Sequence, residues 1–122
     1  MANEVTIAVS LSASKGGAIV NPGTKTKQLT MAGSNMLQNT VSIGTSSELL
    51  SLGDMSGAPS AVMITNLDST NYVLISGETG FTAVMQMKIL AGETVLLKPL
   101  AATLYAKANT AACLIQLVAV EA

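Results

Sequence analysis

Seven carboxylates, six lysines and a single cysteine are the side chains of this 122-residue chain with the charge or nucleophilicity to do chemistry, and histidine is absent. Without histidine the commonest general base is missing, and with it the serine and cysteine triads and the His-containing zinc sites. One cysteine, Cys113, builds neither an intrachain disulfide nor a thiolate metal site. The carboxylates Glu4, Glu48, Asp54, Asp68, Glu78, Glu93 and Glu121 are scattered, mostly at turn compositions where a solvated anion is unremarkable. A glycosidase-type pair could meet in space, but a chain without arginine and with 2% aromatic residues has little to hold a sugar or a phosphate. Catalysis needs a nucleophile, a base and an orienting group together. The chain is therefore read as a non-enzyme, with no catalytic residues, no cofactor and no metal.

Two short segments invite a sharper reading. Lys15-Gly16-Gly17 has the flavour of a phosphate loop but lacks the Gly-Lys-Ser/Thr ending and the following helix, so the glycines are expected to permit a backbone bend. Asn66, Asp68, Thr70 and Asn71 cluster oxygen ligands, yet without the acidic density, glycine and distal glutamate of a calcium loop. A turn in which Asn and Asp cap local amides is the expectation there. Glu93, after Gly92, reads as the flank of a hairpin, and Cys113 as a small buried hydrophobe. Tyr72 and Tyr105 fall within strand patterns, packing a ring and turning a hydroxyl to water or a neighbour. The seven methionines suit either gaps in an aliphatic core or adaptable subunit contacts.

The elements that carry these residues are strands. Val5, Ile7, Val9 and Leu11 alternate with small or polar residues, and the same period of two returns in Phe81, Ala83, Met85, Met87 and Ile89. Shorter strands are expected over Lys25 to Ala32, Ala61 to Thr65, Asn71 to Ser76, Thr94 to Lys98, Thr103 to Ala108 and Cys113 to Val120, separated by turn chemistry at Asn21-Pro22-Gly23, Gly57-Ala58-Pro59, Asn66 to Thr70, Gly77 to Gly80 and Ala91-Gly92-Glu93. Residues 33–57 are less regular. Ser46 to Leu50 could open one turn of helix or belong to a loop, with Gly53 ending it. The even recurrence of strands after Ala61 predicts an all-β, antiparallel sandwich, jelly-roll-like. One β domain spans residues 1–122, with an N-terminal strand and flexible connection over 1–24 and a sandwich body over 25–122. A strand on such a tether could add to a neighbouring subunit's sheet, so Val5, Ile7, Val9 and Leu11 form the candidate subunit-contact segment.

Composition then bounds the partners. Hydrophobic residues are 49% of the chain and charged residues 11%, the net charge is −1 and the mean hydropathy is +0.52. A typical soluble domain carries about 25% charged residues and relies on them for solubility. So bare a surface points to assembly. The basic residues are all lysine, spread along the chain, so nucleic acid is not expected as a partner. Nor is a membrane, since no apolar run approaches the roughly 18 residues that span a bilayer. Glu4 stands where a secretory signal would be basic, which places synthesis in a cytoplasm.

Three segments resemble small virion structural proteins of tailed bacteriophages: Thr65-Asn66-Leu67-Asp68-Ser69-Thr70-Asn71-Tyr72-Val73, then Leu90-Ala91-Gly92-Glu93, then Thr103-Leu104-Tyr105-Ala106-Lys107-Ala108. The run Leu11 to Ala18 shares the likeness, which is one of pattern over most of the chain. It implies a sandwich or jelly roll that decorates or cements a capsid. The expected partners are the major capsid protein and the chain itself, as a homotrimer or a dimer, located on the capsid surface of the virion. A neck, tail or fibre position is the alternative, and a small ligand- or glycan-binding module is the reading from another class.

Overall fold

The computed structural model describes residues 4–31, 33–52, 59–77, 80–81, 86–99 and 103–121. It divides into two compact units, residues 1–32 and residues 33–122.

In the first unit, β1 (Val5–Val9) pairs antiparallel with β4 (Lys25–Leu29), setting Val5 against Leu29, Ile7 against Lys27 and Val9 against Lys25. Between them, β2 (Ala13–Lys15) and β3 (Ala18–Val20) pair antiparallel as a hairpin. Its two-residue turn is Gly16-Gly17, with φ of 58° and 88°. Both positions need the left-handed region that a tight hairpin demands and that glycine adopts without penalty. This corrects two expectations. The segment read as a flexible connection carries a hairpin, and Lys25–Leu29, read as the start of the sandwich, pairs with β1, so the division falls after residue 32.

The second unit is an antiparallel β-sandwich. Among the described residues its strands are β5 (Met36–Ile43), β6 (Glu48–Leu50), β7 (Pro59–Asn66), β8 (Val73–Ser76), β9 (Gln86–Ile89), β10 (Thr94–Leu97), β11 (Leu104–Ala108) and β12 (Cys113–Glu121). One sheet runs β10-β7-β12-β5 and the other β6-β11-β8-β9. The pairings are nested: β5 lies beside β12, β6 beside β11, β7 beside β10 and β8 beside β9.

Alternation decides which side chains meet between the sheets. On β12, Cys113, Ile115, Leu117 and Ala119 are fully buried while Leu114, Gln116, Val118 and Val120 face outward. They meet Val62 and Ile64 of β7, Ile43 of β5, Val73 and Ile75 of β8, Ile89 of β9, and Leu104, Ala106 and Ala108 of β11 in one aliphatic cluster. Leu37, Val41, Val95 and Leu97 pack against its margin. Each fully buried Ile or Leu contributes about 1.5–3 kcal/mol of transfer free energy.

β5 and β6 occupy the region read as irregular, and β6 replaces the expected helical turn or loop. Glu48, Leu49 and Leu50 pair with Ala106, Tyr105 and Leu104, so cross-strand partners override the weak local signal for a helix start. The expected strand from Phe81 is narrower. β9 begins at Gln86, residues 82–85 lie outside the described residues, and Phe81 is a buried residue with φ of 49°, which a strand cannot accommodate.

Candidate functional site

A hydrogen-bonded group of polar side chains lies at one end of the sandwich, where the β7–β8 loop, the β9–β10 turn and the β11–β12 loop converge. Asn66, the last residue of β7, is fully buried. Its Nδ2 donates to the carbonyls of Asn71 (2.9 Å) and Ile89 (3.0 Å), and its Oδ1 accepts from the Asp68 amide (3.0 Å). Its backbone amide donates to Glu93 O at 2.9 Å and its carbonyl accepts from the Gly92 amide at 3.0 Å. One side chain thus ties two turns to a strand end.

Asp68 completes the loop. Its Oδ2 accepts from the amides of Asn71 (2.6 Å) and Thr70 (2.9 Å). The amide of Asn71, then that of Thr70, stabilises the carboxylate and holds its pKa below the ordinary value of 3.8. Asn71 Oδ1 accepts from Thr110 Oγ1 at 2.7 Å, and Asn109 Oδ1 accepts from the Tyr72 amide at 3.0 Å, joining the third loop. Of the four oxygen-bearing residues that resemble a cation loop, Asn66 and Asp68 therefore cap local amides, the use expected of Asn and Asp from their types, while Asn71 bonds the Thr110 hydroxyl. Among the described residues, no group of three or more His, Cys, Asp and Glu could hold a metal ion.

The other described carboxylates also accept hydrogen bonds from within the chain. Glu93 Oε1 accepts from the Leu90 amide (2.9 Å), Glu48 Oε2 from the Gly44 amide (2.9 Å) and Glu4 Oε1 from the Met31 amide (2.9 Å). Glu121, buried at the far end of β12, accepts at Oε2 from Asn35 Nδ2 (2.8 Å). Its carboxylate occupies the space in which a side chain at Gly33 would have to stand. Asp54 and Glu78 lie outside the described residues. Cys113 is buried, and desolvation first, then the nearby negative charge of Asp68, pushes its thiol pKa up. A thiol so placed is no nucleophile near neutral pH.

Two lysines are also engaged. Lys88 Nζ lies 4.3 Å from the centre of the Tyr72 ring and Lys107 Nζ 4.8 Å from that of Phe81. Such contacts are worth about 0.5–1 kcal/mol at exposed sites. Neither pairing has a signature in the sequence, because the partners are far apart along the chain and meet only through sheet register. Gly33 with Glu121 is invisible for the same reason.

The candidate contact segment is less uniform than its alternation implies. Val5 is buried and Ile7 half-buried, whereas Val9 is 47% and Leu11 74% exposed. β1 is already paired within the chain, along the side facing β4.

The outer face of the β10-β7-β12-β5 sheet was not foreseen. Leu96, Met63, Val118 and Gln38 form one row across the four strands, and Thr94, Thr65, Gln116 and Thr40 the next. Val120 with Met36, and Leu114 with Ser42, continue the face, and none of these residues is charged. The outer side of the other sheet carries Lys88 and Lys107. No helix of the described residues is long and apolar enough to cross a membrane. No family model, curated protein or solved structure matches this chain.

Proposed function

We propose that this chain is a structural protein of a bacteriophage virion that decorates and cements the capsid by binding the lattice of the major capsid protein. The observation that carries this reading is the uncharged outer face of the β10-β7-β12-β5 sheet, opposite a lysine-bearing face on the other sheet. A neutral face of Leu, Met, Val, Thr and Gln costs little to desolvate and suits contact with a protein surface, while the lysines keep the opposite side in water. The polar loop end fits a structural role as well, since the Asn66 and Asp68 side chains bond the chain's own carbonyls and amides. The nested pairing of β5 to β12 supports a jelly-roll winding for the domain. The phage resemblance of the loop segments supplies the address.

Many weak contacts repeated over a shell stabilise it through multivalency. The test compares heads assembled with and without the chain for the temperature at which they release their genome. Decorated heads are expected to open at a higher temperature, with a copy number comparable to that of the coat protein. Val118→Lys, which places a charge in the middle of the neutral face, is expected to reduce occupancy at least tenfold while leaving the fold intact. Equal stability with and without the chain removes the cement role, and a handful of copies per particle moves the protein to a neck, tail or fibre.

A further inference from the structure

Among the described residues the sandwich has four edge strands, and they are not equally protected. β6 has three residues and carries Glu48, β9 has four and carries Lys88, and β10 has four and is flanked by Glu93 and Lys98. β5 has eight, Met-Leu-Gln-Asn-Thr-Val-Ser-Ile, with no charge, no proline and no register shift against β12. No charged residue occurs anywhere between Lys27 and Glu48. Short strands, charges, prolines and bulges are the devices that keep a sheet edge from pairing with another chain. β5 has none of them.

The hydrogen-bonding sense of this edge follows from one contact. The Glu121 amide donates to Asn35 O at 2.9 Å, and the two residues continue the register in which Met36 faces Val120. In an antiparallel ladder, hydrogen-bonded and non-hydrogen-bonded pairs alternate. Leu37, Asn39, Val41 and Ile43 therefore turn their backbone groups toward β12, and Met36, Gln38, Thr40 and Ser42 turn theirs outward. Among the described residues no strand lies on that side, and Met36 is 71% exposed.

We infer that this edge is a homodimer interface, in which β5 of one copy pairs antiparallel with β5 of a second copy about a two-fold axis at Asn39. A second copy is the occupant because the strand is complementary to itself. A two-fold axis normal to the sheet requires an even sum of paired residue numbers, and centring on Asn39 sets Met36 against Ser42 and Gln38 against Thr40. All four outward-facing residues then exchange both backbone bonds. Centring on Thr40 instead would set Met36 against Gly44, whose amide is already given to Glu48 Oε2 and whose carbonyl already accepts from Ala108. The Asn39 register also explains an exposed polar residue on the inward-facing side of the strand. Leu37 would face Val41 of the other copy, extending the aliphatic core across the axis, and the two Asn39 amides would meet each other. Head-to-tail pairing of β5 with β10 fails on length and on the charges that flank β10. The isologous arrangement closes as a dimer. It does not rest on the virion reading, and either can fail without the other.

Three measurements test it on the whole chain. Light scattering after gel filtration is expected to give twice the 12.4 kDa chain mass in the micromolar range. Thr40→Pro removes an amide that points away from β12, and Asn39→Lys sets two positive charges against each other across the axis. Each is expected to weaken the dimer at least tenfold while far-UV circular dichroism stays unchanged. Asn39→Cys is expected to cross-link to itself under mild oxidation, because residues facing each other in a non-hydrogen-bonded pair have Cα atoms about 4.5 Å apart, within disulfide reach. Gln38→Cys, which faces Thr40, is expected not to. A monomer throughout the concentration range, a trimer, or a dimer that survives Thr40→Pro and Asn39→Lys overturns the inference.

Discussion

Replacing Asn66 by alanine deletes the side chain that joins three segments at the loop end of the sandwich. The Asn66 amide group makes three hydrogen bonds, two donated to Asn71 O and Ile89 O and one accepted from the Asp68 amide, and the residue is fully buried. A buried hydrogen bond is worth about 1 kcal/mol net, and a partner left unsatisfied costs about 1–3 kcal/mol. The Asp68 amide and the Asn71 carbonyl lie near the surface and can turn to water, so each loses about the net value. The Ile89 carbonyl sits behind the loop and bears the larger cost. The sum is about 3–5 kcal/mol, a large fraction of the roughly 5–15 kcal/mol that holds a domain together. With a urea slope of about 1.5 kcal/mol per molar, the unfolding midpoint should fall by about 2–3 M.

Asn66→Asp separates the bonding from the shape. It keeps the size but replaces two donors by a carboxylate facing two carbonyls, so desolvation and repulsion raise its folded pKa above the unfolded value of about 3.9. A raised carboxylate pKa costs nothing below the unfolded value, and the penalty grows as the pH rises from there toward the folded value. The deficit of Asn66→Asp against wild type should therefore be larger at neutral pH than at pH 3. A midpoint shift under about 0.5 M for Asn66→Ala, or a deficit independent of pH for Asn66→Asp, refutes the view that this side chain holds the loops together.

Further outcomes follow from the other contacts. Gly33→Ala puts a methyl group where the Glu121 carboxylate stands, so Glu121 must swing away from Asn35, and thermal unfolding should show a loss of about 1–2 kcal/mol. Asp68 has a folded pKa depressed by the Asn71 and Thr70 amides, so its stabilising effect is present above the unfolded value and is lost as the pH falls through the folded one. An NMR titration should place its midpoint below 3.8, and Asp68→Asn should flatten the dependence of stability on pH in the acid range. Cys113, buried with a raised thiol pKa, should resist a thiol reagent at pH 8 in the folded protein and react at once in urea; rapid labelling without denaturant would contradict its place in the core.

How far each element could be read in advance depended on whether its signal was local. β7, β10, β11 and β12 show their alternation in the sequence and emerge within a residue or two of the expected bounds. β5 escaped because Asn39 interrupts the apolar series Leu37, Val41 and Ile43 on the side facing the core, and because its outer side is Met, Gln, Thr and Ser. An edge strand is half covered, so its inward face tolerates a polar residue that a central strand would not. β6 looked like the start of a helix since Ser-Ser-Glu is also an N-cap composition; its pairing with β11, more than fifty positions away, decides the matter. The β2–β3 hairpin looked like a tether because Gly16-Gly17 signals a bend without saying that the chain on either side will pair.

The absence of histidine and arginine, the single cysteine and the aliphatic alternation are properties of the sequence alone, because residue type limits chemistry and a period of two puts one set of side chains on one face of a strand. The capping role of Asn66 and Asp68 was legible too, since short polar side chains bond amides two or three residues away. Everything that depends on residues distant in the chain was decided by the tertiary structure. Register across β10, β7, β12 and β5 places uncharged residues from four separate segments on one outer face, and among the described residues it leaves β5 at the margin of its sheet. The physical reason is that strand pairing is cooperative and non-local. A strand's own residues set which way its side chains alternate, but its neighbours in the sheet determine which of its faces and edges meet solvent.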